Sequence, residues 1–185
     1  MKTQTKTILE IIKYLALIGA IGFSIECGSQ LISLIISFSN PEFAKKMYLA
    51  KQGIEDLRNF SLTYFYFTKS MLITFAALKA FIWYYLFDFL HKLKLKNPFT
   101  DEVATKIQNI IYQLLSLWII AEIGNGYFNY VSKRTDIDLV NHFNHEEYFF
   151  MAGIVYIIAQ IFKRGVELQE ENELTVLVRG DGLFQ

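Results

Sequence analysis

The chain has 185 residues, 53% of them hydrophobic and 16% aromatic, and its 18 basic side chains are balanced by 18 acidic ones. Zero net charge offers no bulk attraction to nucleic acid, and apolar runs this long exclude an ordinary soluble domain, whose runs are shorter and amphipathic. The lone cysteine, Cys27, excludes an internal disulfide.

Four windows, 14–38, 62–90, 103–131 and 148–162, approach the roughly 20 residues needed to cross a bilayer. The last is short and extends into its charged flank. The spacing predicts an all-α, polytopic bundle of four transmembrane helices over about 8–38, 62–92, 101–131 and 146–172, one membrane domain over 1–185 with a tail at 173–185. Basic residues precede the first apolar run as in a secretory signal. That run continues for a full span, however, so it reads as helix one. A lipoprotein cleavage before Cys27 would need a small residue where Glu26 stands. Along helix one, Gly19, Gly22, Glu26, Ser29, Ser33 and Ser37 recur at three- and four-residue spacing, a stripe of small and polar residues suited to close helix packing. Glu26 therefore belongs to a packing face.

The connection that follows carries Phe43, Met47, Ala50, Ile54 and Leu57 on one helical face, predicting an outer amphipathic helix that Gly53 would break. Its basic residues suit a helix lying across the end of the bundle, packed on the spans or facing lipid. Helix two contains Lys69 and Lys79 and closes on "WYYLFDF". In the turn "KLKLKNPFTDEV", Asn97-Pro98 turns the chain, Thr100 is an N-cap, and Asp101 and Glu102 suit a first helical turn. Helix three divides its polar residues between a face with Asn109, Gln113 and Ser116 and another with Glu122, Asn125, Gly126 and Asn129. The next loop, "HFNHEE", offers His142, His145 and Glu146 as a weak metal candidate in an order that matches no metalloprotease motif. A solvated loop is the better reading. No metal or cofactor and no nucleophile constellation is expected, so the chain reads as no enzyme.

Helix four carries a polar stripe of Gly153, Tyr156, Gln160, Lys163 and Glu167. Beyond it, Glu167, Glu170, Glu171 and Glu173 make the flank acidic. The run "LTVLV" then looks strand-like and "GDG" turn-like. Such a tail is expected to add to another sheet edge or to its own copy; the alternative is that the acidic helix end folds back on Lys92, Lys94 and Lys96.

A lone charge near mid-membrane is unfavourable by roughly 2.5–3.5 kcal/mol, so intramembrane charges usually face the bundle. At about 1.5 Å per residue, Glu26 and Lys79 share one layer, and Glu122 and Lys69 share a second nearer the outer side. The expectation is two buried pairs, Glu26 with Lys79 and Glu122 with Lys69. They either fix which helices are neighbours or line a proton or ion path. Orientation follows the positive-inside rule: Lys2, Lys6, Lys13, Lys92, Lys94, Lys96, Lys106, Lys163, Arg164 and Arg179 outnumber Lys45, Lys46, Lys51, Arg58, Lys133 and Arg134 on the opposite side. Both termini are then cytoplasmic. Aromatic clusters at 64–67, 127–130 and 148–150 mark the outer border, and 83–89 the inner one.

"NPFT" at 97–100 and "FKRGVELQEENELTV" at 162–176 resemble the bacterial domain-of-unknown-function 2975 family of small four-span membrane proteins, with Glu173 where Asp is common. The resemblance implies no established activity. It implies a place beside small helix-turn-helix regulators of the Xre type. The reading is a non-catalytic protein of the bacterial inner membrane, in contact with lipid and binding such a regulator, not DNA itself, through Lys92, Lys94, Lys96, Lys163, Glu167, Glu170, Glu171 and Glu173. Two rivals stand beside it: a proton- or ion-coupled transporter subunit using Glu26, Lys79 and Glu122, and an immunity or envelope-stress protein acting through the outer helix. The small-residue stripes permit a homodimer.

Overall fold

The computed structural model describes residues 2–48, 53–93, 99–139, 143 and 146–181. They form six helices: α1 (Lys2–Ser39), α2 (Pro41–Tyr48), α3 (Ile54–Phe60), α4 (Leu62–Lys92), α5 (Asp101–Thr135) and α6 (Glu146–Asp181). Among the described residues there is no strand. Four helices, α1, α4, α5 and α6, are long and apolar enough to cross a membrane. Their backbones pack in chain order, α1 on α4, α4 on α5 and α5 on α6. A third of the most apolar window of α5 (33%) is buried inside the protein, against 11% in α1. Thus α5 is a central helix. The outward side of α1, with Ile18, Ile25 and Ile35 all more than 60% exposed, is built for hydrocarbon.

Local chemistry accounts for the ends. The Thr100 hydroxyl accepts from the Val103 N–H at 3.4 Å, the N-cap expected before α5, with Asp101 and Glu102 in the first turn where the helix dipole favours them. Asp136 closes α5 in the left-handed region at φ 58°. Asn40 accepts from the Phe43 N–H at 3.1 Å, and Pro41 opens α2 where its missing N–H is no loss.

The α1–α4 connection contains two short helices, and Gly53 caps the second with a φ of 83° that suits glycine. A Cβ there would lie 2.5 Å from the Asp138 carbonyl oxygen, so Gly53 is pressed onto the segment that follows α5. Ile54 and Leu57 are buried, as the amphipathic pattern required. At its start the register differs by one residue: Ala44 is buried and Phe43 is 51% exposed, since α2 and α3 are separate helices and need not share one phase. Met47 and Ala50 lie outside the described side chains. Ala44, Ile54 and Leu57 join Phe65, Phe128, Val131, Leu139 and Phe143 in one apolar cluster. The pair of short helices therefore plugs the end of the bundle.

The strand expected at "LTVLV" is not formed; the backbone from 174 to 178 continues α6. A five-residue β-branched window is overridden by the helix already propagating into it, since each added helical residue gains a hydrogen bond without a new nucleus.

Candidate functional site

The polar groups inside the spans converge on α4, and three levels along that helix hold its neighbours. At the middle level, Lys79 Nζ donates to Glu26 Oε2 at 3.1 Å, joining α4 to α1 as the shared layer predicted. The ammonium also lies 4.6 Å from the Phe23 ring centroid and 5.2 Å from that of Phe75. Two aromatic faces thus supply negative potential to the ammonium, and the pair is half-buried rather than buried as expected, with the Glu26 side chain 41% exposed. Gly19 makes this approach feasible: a Cβ on it would come within 2.6 Å of the Trp83 ring.

Nearer the end capped by α2 and α3, Lys69 is 2% exposed and donates to Gln30 Oε1 and Ser33 Oγ, both at 2.9 Å. These acceptors belong to α1, whereas the expected partner, Glu122, is on α5 and exposed. The correction is one of direction around the helix. Depth counting places two charges in a layer but does not say which way each points. Glu122 stands one turn beyond Trp118, whose ring is 5.1 Å from Phe149 in the first turn of α6. A carboxylate beside the start of a helix is favoured by its dipole.

The α1 stripe is corrected in the same way. Its buried residues include Ala16, Gln30, Ser33 and Ser37, with Phe23 between them. Gly22 has open space where a Cβ would go, and Ser29 is exposed. The contact line repeats at seven residues, 16, 23, 30 and 37, the period of a left-handed helix pair.

At the third level, Asp88 of α4 pairs closely with Lys106 of α5 and, at 2.8 Å, with Lys92 one turn along its own helix. Lys92, read from the sequence as partner-binding, is thus occupied by Asp88. Beyond α4, Arg58 of α3 donates to Ser37 Oγ at 3.0 Å and to the Ser37 carbonyl at 3.2 Å, tying α3 to α1. None of Gln30, Asp88 and Arg58 figured among the expected site residues. Asp88 was open to detection, since it lies four residues before Lys92 on a helix. Cys27 donates weakly to the Ile73 carbonyl at 3.9 Å and acts as a small packing residue.

The α5–α6 contact is built differently. Asn125 Nδ2 donates to the Phe143 carbonyl at 2.9 Å and its Oδ1 accepts from the Phe143 N–H at 2.7 Å, so one amide satisfies both backbone groups of a buried loop residue. The Phe143 ring lies on Gly124, where a Cβ would be 2.5 Å from it, and 4.2 Å from Phe75. At the opposite end Phe99 covers Gly165, with a Cβ-to-ring distance of 2.4 Å.

The metal candidate His142 and His145, the basic residues Lys94 and Lys96, Asn97-Pro98 and the Glu173 side chain lie outside the described residues. Glu146 begins α6. Among the described residues no group of three or more metal-ligating side chains forms. Glu170 and Glu171 are exposed on α6, and Glu167 pairs with Arg164 at 2.9 Å along the same helix.

No curated protein and no solved structure matches the chain. A family model described as "Protein of unknown function (DUF2975)" matches residues 35–176, which takes in α2 to α5 and most of α6, and leaves Glu26, Gln30 and Ser33 before its start. Four membrane-length helices and this match agree with the resemblance carried by 97–100 and 162–176: the chain belongs to the DUF2975 family of multi-pass, membrane-type proteins.

Proposed function

We propose that the protein is a non-catalytic protein of the bacterial inner membrane that presents α6 to a protein partner on the cytoplasmic side. The observation that carries this reading is the length of α6, which runs unbroken from Glu146 to Asp181. Gly165 is level with Phe99, just ahead of α5, so about 24 Å of α6 extends past that level at 1.5 Å per residue. Glu167, Glu170 and Glu171 lie on that projecting arm. The arm and the membrane-spanning part of α6 are one rigid element, so a displacement at the outer end is carried to the acidic end. A small basic regulator of the Xre type is the kind of partner whose charge complements it. Lys69 and Lys79, held in the α1–α4 contact, serve to fix helix neighbours in this reading and do not move ions.

The test is retention of partners by the full chain solubilised from native membranes, compared with a variant in which Glu167, Glu170, Glu171 and Glu173 are each changed to Gln. A small DNA-binding protein held by the intact chain and lost by the variant is expected. Equal retention by both forms, or no cytoplasmic protein retained by either, would overturn the proposal.

A further inference from the structure

The polar stripe on α6 has a use that does not depend on a protein partner. Tyr156, Gln160 and Lys163 line one wall of a crevice of about 270 Å³ between α5 and α6, and Gln108 and Tyr112 line the other. On the α5 wall, Gln108 Nε2 donates to the Tyr112 hydroxyl at 2.8 Å. On the α6 wall, Tyr156, Gln160 and Lys163 have no hydrogen-bond or ion-pair partner among the described residues. Nearby cations differ in this respect: Arg164 is paired with Glu167, and Lys92 and Lys106 with Asp88. Three exposed polar side chains at i, i+4 and i+7 thus line a crevice without partners among the described residues, at the flank of a span, where polar groups that face hydrocarbon are costly.

Depth says what covers them. The Phe162 ring lies 5.3 Å from Phe99, tilted against it, and Gly165 packs on the same ring. Lys163 is therefore level with the first turn of α5, where apolar sequence gives way to "TDE". Tyr156 is seven residues further in, about 10 Å at 1.5 Å per residue. The crevice thus has one ammonium unpaired among the described residues, Lys163, at its mouth, at the level where Asp101 and Glu102 open α5, amide and hydroxyl donors below it, and an apolar floor of Ile111, Leu115 and Ala159. We infer that it seats one anionic phospholipid, its phosphate at Lys163 and Gln160 and an acyl chain along Ile111 and Leu115. An ammonium at the headgroup level attracts anionic lipid, and the donors here suit phosphate oxygens. A zwitterionic lipid brings its own cation to the mouth and loses that advantage.

The test uses the full chain purified in detergent and native mass spectrometry. Phosphatidylglycerol, phosphatidylcholine with the same acyl chains, and inorganic phosphate are titrated separately. Phosphatidylglycerol should be retained about fivefold more tightly than phosphatidylcholine, the preference expected for one uncompensated Lys near a headgroup. Lys163→Gln should abolish the preference, Lys163→Arg should keep it, and Lys133→Gln at the other end of α5 should leave it unchanged. Equal retention of the two lipids by the wild type would overturn the inference, as would undiminished preference in Lys163→Gln. Full competition by inorganic phosphate would also overturn it, making the crevice a free-anion site. A dimer that dissociates on Lys163→Gln, without lipid retention, would assign the stripe to a second copy instead.

Discussion

The α1–α4 and α5–α6 contacts join pairs of membrane helices with different balances of the same means. Between α1 and α4 the Trp83 ring packs on Gly19, and charged and polar contacts are added to it: Glu26 with Lys79, and Lys69 with Gln30 and Ser33. At the α5–α6 contact, aromatic rings from the flanking loops seat on helix glycines, Phe143 on Gly124 of α5 and Phe99 on Gly165 of α6, and the apolar residues Ile107, Ile111 and Ala159 pack between the two helices. Lipid removes the hydrophobic drive that associates helices in water, leaving close packing and interhelical hydrogen bonds. The α1–α4 contact adds the second to the first, and the α5–α6 contact relies mainly on the first. Shape alone suffices where α5 is enclosed by neighbours on two sides. Helix α1, with so little of its apolar window buried, needs specific polar anchors to stay in register.

The contrast predicts unequal responses to substitution, measured as unfolding free energy of the full chain in mixed micelles. The largest should follow Gln30→Leu combined with Ser33→Ala, which removes two acceptors from fully buried Lys69. A loss of about 3 kcal/mol is expected, the low end for breaking a buried charged contact, with part recovered on adding Lys69→Met. Next comes Glu26→Gln, about 2 kcal/mol, below the full burden of a lone mid-membrane charge because Phe23 and Phe75 still face the ammonium. On the other contact, Gly124→Ala forces a methyl into the Phe143 ring and should be unfavourable by about 1.5 kcal/mol. No charge substitution should rescue it; Phe143→Leu should. The smallest effect belongs to Lys92→Gln, within about 0.5 kcal/mol, since its pair with Asp88 is exposed on the lysine side. If Gly124→Ala were rescued by altering charges, or Glu26→Gln only by altering bulk, the distinction between the two contacts would be lost.

How far the sequence could be read follows from what each pattern encodes. Helix α4 begins at Leu62 and ends at Lys92, as its apolar window and flanks indicated, and α5 starts at Asp101 behind the Thr100 cap. Caps and apolar length are local, so they are legible. The Glu26–Lys79 contact was legible because depth along a helix is a count of residues. Lys69 was assigned the wrong neighbour because a residue's direction around its helix depends on crossing geometry, which counting lacks. Gln30 escaped because it carries no charge, although seven-residue spacing from Phe23 places it on the seam. Asn125 escaped for another reason: its partner is the backbone of Phe143, and no residue type announces that. The run at 174–178 misled because five β-branched and leucine positions look alike in strand and helix once the preceding turn is ignored.

The most direct measurement is a double-mutant cycle on Glu26→Gln and Lys79→Met, with proton flux followed in vesicles containing the same variants. If the pair is a structural anchor, the double variant should be more stable than the sum of the single losses allows, by about 1 kcal/mol or more, and flux should stay at the lipid background throughout. Additive losses together with a pH-dependent flux that Glu26→Gln abolishes would contradict the account and assign the carboxylate to an ion path.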